Sequence, residues 1–129
     1  MKYGNDVKYI CEIQGKAEIE EKFVELKNID VVLTDERKLH ILERRGKQDY
    51  EWIMNNLVNT LQLFDELYID YPKSKFVVCY VKKIQNNKNC VVFVRLSFSY
   101  NNFANSIITA IMMSEKKLKK LARKRNKIA

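Results

Sequence analysis

The sequence has little of several residue types that form common functional sites: one histidine, one proline and three glycines among 129 residues. The single histidine, His40, and the widely spaced cysteines form no CxxC or HxxxH pair, so we expect neither a metal site nor a cofactor. The glycines are isolated from one another, which excludes a P-loop nucleotide hydrolase. No serine lies in a nucleophile-elbow pattern, so a serine hydrolase is not indicated either.

Long apolar segments are also absent. No apolar run approaches the roughly 18 residues that a membrane-spanning helix requires, and the longest, such as Val91–Val94, have the length of a strand. The N-terminal segment lacks the apolar core and cleavage site of a secretory signal. We therefore expect a cytoplasmic protein without a membrane partner. In such a protein Cys11, Cys79 and Cys90 are predicted to be buried free thiols.

The composition, 47% hydrophobic and 31% charged, is that of a folded domain, and no repeat or linker divides the chain. We predict one domain over residues 1–129. The net charge of +8 is concentrated at one end, because residues 114–129 contain eight basic side chains and one acidic side chain. A cluster of one sign favours binding to phosphates or to another anionic surface. A solvated terminal helix is the alternative.

Helical signals dominate the first half of the chain. Thr34 is a predicted N-cap, followed by acidic residues in the first turn, for a helix that ends near Gly46. A second helix is predicted from Asp49, with an apolar stripe that extends to Phe64. Before them we predict a short strand over Val7–Ile13, and residues 17–26 leave helix and strand open.

The second half is rich in Val, Ile, Phe and Tyr, which favours strands. We predict three antiparallel strands, a fourth strand over Asn105–Met113, and a basic helix capped by Ser114. The three antiparallel strands cover Glu66–Tyr71, Lys75–Ile84 and Asn89–Ser99. The expected fold is α+β, with the N-terminal helices packed on one face of a roughly four-stranded antiparallel sheet.

Strand alternation predicts which polar residues share a face of the sheet. Arg95 is expected on the face opposite Val92 and Val94. In a regular fourth strand, Ser106 and Thr109 would point to opposite faces, whereas Asn105 and Thr109 would share one.

His40 is a candidate for acid–base chemistry, because an imidazole titrates near neutral pH. Arg37 and Arg44, at i−3 and i+4, share its helix face and provide donors for a phosphate. The alternative is a surface histidine on a charged helix. Together with Arg95 and a hydroxyl and amide cluster over residues 105–109, this set meets the needs of metal-independent RNA cleavage.

Three segments resemble the phage-related nucleases of the barnase, EndoU, colicin and RelE-like superfamily. They are VVLTDERKLHILERRG (31–46), VVFVRLSF (91–98) and NSIITAIMMSEKKLKKLARKRNKI (105–128). The resemblance spans most of the chain from residue 31 onward. The sequence departs from the family pattern at Arg45, which stands in place of a second helix histidine, and at Ile111, which replaces an aromatic residue.

The resemblance implies a toxin-like, prophage-related endoribonuclease that acts on RNA, with tRNA as a frequent target. It implies His40 as general acid or base, with Arg95 and Thr109 as its catalytic companions. The expected substrate-binding residues are Arg44, Asn105, Ser106, Lys116 and Lys120. An acidic immunity or antitoxin protein is the expected partner by charge complementarity. The alternatives are a non-catalytic RNA-binding module and a phage interaction module.

Overall fold

A computed structural model describes residues 4–22, 26, 28–70, 76–97 and 104–129. These residues form four helices and seven strands. In chain order they are β1 (Val7–Glu12), α1 (Lys16–Lys22), β2 (Asp30–Thr34), α2 (Asp35–Arg45), α3 (Lys47–Gln62), β3 (Glu66–Ile69), β4 (Val77–Gln85), β5 (Lys88–Arg95), β6 (Asn105–Met113), α4 (Glu115–Arg123) and β7 (Asn126–Lys127).

The strands form one mixed sheet in the order β1-β2-β6-β5-β4-β3-β7. Five of the six neighbouring pairs are antiparallel. The exception is β2 with β6, which is parallel and pairs Val31 with Asn105 and Val32 with Ser106. This short parallel pairing joins the first third of the chain to its last third.

The predicted four-stranded antiparallel sheet is wrong, because the described part of the chain has seven strands and a parallel pair. The predicted meander is present as β3 to β6, but β1, β2 and β7 extend it on both sides. The apolar residues 31–33 are all buried, so β2 shows no alternation by which a strand could be recognised. The two-residue β7 is too short to show any periodicity. The predicted strand ends at Tyr71, Lys75 and Ser99 lie outside the described residues.

Helices cover both faces of the sheet: the three N-terminal helices pack on one face and the basic helix α4 on the other. One face packs against α1, α2 and α3 and contains the larger apolar core, with buried Ile19, Ile41, Ile53, Leu61, Tyr80, Val92, Val94 and Ile107. On the other face α4 packs through Leu118 and Leu121 against Tyr68, Cys79, Val81 and Val91. The many charges of α4 are typical of a solvated helix, but Leu118 and Leu121 pack it against the sheet.

Several local signals give the structures that they predict. The Thr34 hydroxyl accepts a hydrogen bond from the Arg37 N–H at 3.2 Å and begins α2. Gly46 follows α2 with a φ of 84°, a backbone angle that glycine adopts without strain. Ser114 caps the predicted basic helix α4, and its hydroxyl accepts from the Lys117 N–H. Residues 16–22, which overlap the segment left open, are helical.

The β4–β5 hairpin also holds the start of α4. Asn87 lies in its turn with a φ of 61°, a left-handed backbone conformation that asparagine tolerates. The Asn87 side-chain oxygen accepts a hydrogen bond from the Glu115 N–H at 2.9 Å. One turn residue therefore closes the hairpin and satisfies a backbone donor of the first turn of α4.

Candidate functional site

Arg95 and Ser106 lie side by side on the sheet face that carries α4. Along β5, Val91 and Phe93 pack on the α4 side of the sheet, and Arg95 is the next residue on that face. Arg95 is exposed and lies directly opposite Ser106 of β6. The expected separation of Arg95 from the apolar row of Val92 and Val94 is confirmed.

A β-bulge brings Thr109 to the same face. Thr109 pairs with Phe93, whereas Ser106 pairs with Arg95, so β6 has one residue more than β5 over this stretch. The extra residue restores the same orientation to Ser106 and Thr109. The expectation that these two hydroxyls point to opposite faces is therefore wrong, because it assumed a regular strand.

Arg45, at the end of α2, contacts Thr109 at the edge of β6. Its Nε donates to the Ala110 carbonyl at 3.1 Å, and its Nη2 donates to the Thr109 hydroxyl oxygen at 3.3 Å. The space is available because β2 pairs only with Asn105 and Ser106 at the start of β6. In the sequence, Arg45 stands out only as a departure from the pattern of the nucleases that the chain resembles. A side chain on a distant helix carries no local signal for such a contact.

The electrostatic setting of Arg45 is unusual for an arginine. Burial first, and then repulsion from Arg44, lower the pKa of its guanidinium. Within the described residues no carboxylate lies within ion-pair distance of it. Arg44 is exposed and Arg45 is half-buried, and neither guanidinium forms an ion pair with a residue that the structure describes.

His40 and Arg44 lie one turn apart on α2. His40 is half-buried and Arg44 is exposed. In the part of the chain that the structure describes, no hydrogen bond or ion pair joins His40 to Arg95, Ser106 or Thr109. The structure thus brings Arg95, Ser106 and Thr109 onto one face and adds Arg45 at the edge of β6, whereas His40 lies on α2, which packs on the opposite face of the sheet.

Asn105, a predicted substrate-binding residue, is fully buried. Its side-chain oxygen accepts from the Ser97 N–H at 2.8 Å, and its amide donates to the carbonyls of Asn28 and Asp30 at 2.8 Å and 3.1 Å. Its carboxamide is therefore occupied by backbone groups of three residues in two other segments of the chain. This arrangement is structural, and we leave Asn105 out of the binding surface.

The exposed side of α4 is strongly basic. Six cations on or next to this helix are exposed and form no ion pair with any residue that the structure describes: Lys116, Lys117, Lys119, Lys120, Arg123 and Lys124. The next two cations have other roles. Arg125 pairs with Asp70 at 2.7 Å and Lys127 with Glu66 at 3.3 Å. Lys116 and Lys120, two of the predicted substrate-binding residues, are thus exposed on this side of α4.

The three cysteines are free and buried, as expected. Burial raises the pKa of Cys11 and of Cys90 to about 11 and that of Cys79 to about 12. They are therefore protonated at neutral pH, which makes them poor nucleophiles and poor metal ligands. Among the described residues no group of three His, Cys, Asp or Glu side chains could hold a metal ion.

A groove of about 490 Å³ lies on the other side of the molecule, between β1, α2 and α3. Its lining includes Lys8, Leu33, Lys38, Tyr50 and Met54, and it contains none of the predicted site residues. The candidate site is thus an open surface and not this groove.

Comparisons with known proteins give no indication of the function. No protein-family model, no curated protein and no solved structure matches this chain. None of the helices in the described ranges is long and apolar enough to span a membrane.

Proposed function

We propose that this protein is a toxin-like, metal-independent endoribonuclease. The observation that supports the proposal best is the composition of one sheet face. Arg95, Ser106 and Thr109 share that face with α4, and six cations on or next to this helix form no ion pair with a described residue. The basic helix supplies affinity for a phosphate backbone, and the strand residues supply donors that can distinguish one phosphate. RNA is the substrate, with tRNA as the first candidate.

In the proposed reaction a base takes the proton of a 2′-hydroxyl, and that oxygen attacks the adjacent phosphorus. The 5′-oxygen leaves and receives a proton from an acid, so the products are a 2′,3′-cyclic phosphate and a 5′-hydroxyl. His40 supplies one of the two proton-transfer groups from α2, the helix whose Arg45 reaches Thr109 at the edge of β6. Arg95 and Arg44 hold the phosphate, and the Thr109 hydroxyl donates to an oxygen of the crowded phosphorus in the transition state.

The proposal includes a cellular setting. A toxin-like ribonuclease of this kind acts in the cytoplasm, where tRNA is found. Its expected partner is an acidic immunity or antitoxin protein that covers His40 and the basic surface, because opposite charge speeds and orients association.

Incubation with total tRNA in excess chelator tests this function. We expect fragments with 2′,3′-cyclic phosphate ends from the wild-type protein and at least a hundredfold slower cleavage by His40→Gln, since a general acid or base contributes on the order of a hundredfold or more. Lys16→Gln, which removes an exposed charge from α1 near β3, is the control. Equal cleavage by wild type and His40→Gln would show that His40 takes no part.

A non-catalytic RNA-binding module is the second candidate. It is favoured by the commitment of Asn105 to backbone groups and by the lack of a bond that orients His40 within the described residues. In that case the same assay gives binding without product. If the protein neither binds nor cuts RNA, both candidates fail and a phage interaction module remains.

A further inference from the structure

The hydrogen bond between Arg45 and Thr109 determines how the Thr109 hydroxyl can bind a ligand. The guanidinium has only N–H donors, so the Thr109 oxygen is the acceptor in their 3.3 Å hydrogen bond. The hydroxyl hydrogen of Thr109 is therefore left to donate elsewhere. The Nε of Arg45 is held by the Ala110 carbonyl, which limits rotation of the guanidinium plane and keeps this arrangement in place.

Among the described residues, no acidic side chain forms an ion pair with Arg44 or Arg45. Arg45 is half-buried, Arg44 lies beside it, and neither forms an ion pair with a described residue. Removing a cation from water without a partner is costly, and repulsion between the two guanidinium groups adds to that cost. An anion that accepts the remaining N–H donors of Arg45 would relieve both effects.

The backbone of β6 makes room for such an anion. Pairing with β2 stops at Ser106, so the Thr109–Ala110 stretch is an open sheet edge apart from the Arg45 side chain. Ser106 and Arg95 lie on the same face as Thr109. Hydroxyl and guanidinium donors therefore line one short stretch of this edge, and such donor sets suit the oxygens of a phosphate.

We propose that Arg45 and Thr109 form a phosphate-binding site at the open edge of β6, in which Arg45 positions the Thr109 hydroxyl to donate to a phosphodiester of RNA. The inference rests on the proposed RNA-binding function and adds a residue to it. Arg45 is a positioning residue: it aligns Thr109 and completes the charge of the site.

Titration with inorganic phosphate at constant ionic strength, followed by NMR, tests the site directly. We expect saturable shifts of the Arg45 Nε–H and the Thr109 methyl group. Thr109→Val keeps the side-chain shape and removes only the hydroxyl, so it abolishes saturation, and Thr109→Ser restores it. Shifts that grow without saturation, or that Thr109→Val leaves unchanged, would overturn the proposal.

Affinity for a short single-stranded RNA tests whether the two residues act together. Each of Arg45→Gln and Thr109→Val is expected to weaken binding about tenfold, the effect of losing one charge-assisted hydrogen bond. The double variant should lose less affinity than the two single losses combined, because positioning by Arg45 has no value without the hydroxyl, whereas its charge still contributes. Lys16→Gln, on α1 near β3, is the control. Additive losses would show that Arg45 acts independently of Thr109.

The two experiments separate this inference from the proposed function. Saturable phosphate binding at Arg45 and Thr109 in a protein that binds no RNA would sink the function and keep the site. RNA binding that is unchanged in Arg45→Gln and Thr109→Val would remove the site and keep the function. If Arg45→Gln does not fold, the comparison of Thr109→Val with Thr109→Ser decides the matter.

Discussion

Asn105 connects three segments of the chain through one side chain. Its carboxamide bonds backbone groups of Ser97, Asn28 and Asp30 where β6 meets β2. Removing it leaves buried backbone donors and acceptors without partners, so we expect Asn105→Ala to lower the free energy of unfolding by about 3 kcal/mol. Urea denaturation measures the loss. Asn59→Ala, at an exposed position of α3, should change it by less than about 0.5 kcal/mol.

Arg45 shows how a residue can depart from a family pattern and still occupy the candidate site. The pattern has a histidine where this chain has an arginine, and the arginine bonds Thr109. A guanidinium does not exchange protons at neutral pH, so Arg45 cannot replace a histidine in proton transfer. It can bind an anion. This leaves His40 as the imidazole in the proposed reaction.

At the scale of elements, α4 separates its two functions by face. Leu118 and Leu121 anchor it to the sheet, and the Arg125–Asp70 ion pair, with Arg125 over the ring of Phe93 at 5.6 Å, fixes its C-terminal end. The six exposed cations named above face solvent, and none of them forms an ion pair with a described residue. Because the anchor is apolar, the charged face can be changed without loss of the fold.

The salt dependence of RNA binding measures the contribution of α4. Each phosphate that the protein no longer neutralises reduces the slope of log Kd against log salt concentration by about 0.7 for a single strand. Lys116→Gln combined with Lys120→Gln should therefore reduce the slope by about 1.4, twice that value. Lys8→Gln combined with Lys16→Gln removes the same charge from exposed positions of β1 and α1 and should leave the slope near that of wild type. Equal slopes for all three proteins would exclude α4 from the interface.

At the scale of the whole molecule, both ends of the chain contribute strands to the same sheet. β6 pairs with β2, and β7 pairs with β3, while backbone bonds join Ile128 and Ala129 to Leu67. The first half of the chain supplies β1 and β2 and the second half the other five strands, while α3, from the first half, packs on β4, β5 and β6. The elements are thus expected to lose their structure together.

This topology predicts a single cooperative unfolding transition. Trp52 is the only tryptophan and packs against the larger core from α3. Its fluorescence reports the helical layer, whereas circular dichroism in the far ultraviolet reports all elements. The two urea transitions should coincide, as they do for a two-state domain of this size. A fluorescence midpoint well below that of circular dichroism would show that the helical layer unfolds separately.

The sequence by itself determined features that depend on neighbouring residues. The caps at Thr34 and Ser114, the turn at Asn87 and the basic helix after β6 follow from side chains a few positions apart. The alternation that places Arg95 opposite the apolar row is equally local. Buried thiols follow from apolar surroundings along the chain.

Only the tertiary structure decided the features that depend on distant pairing. The partner of β2 is β6, which follows it only after two helices and three strands, and no side-chain pattern encodes that choice. The bulge that reorients Thr109 appears only in the register between β5 and β6. The Arg45 contact exists because β2 leaves the edge of β6 unpaired. Local propensity acts through bonds between near neighbours, whereas strand order and edge contacts depend on how the whole chain packs.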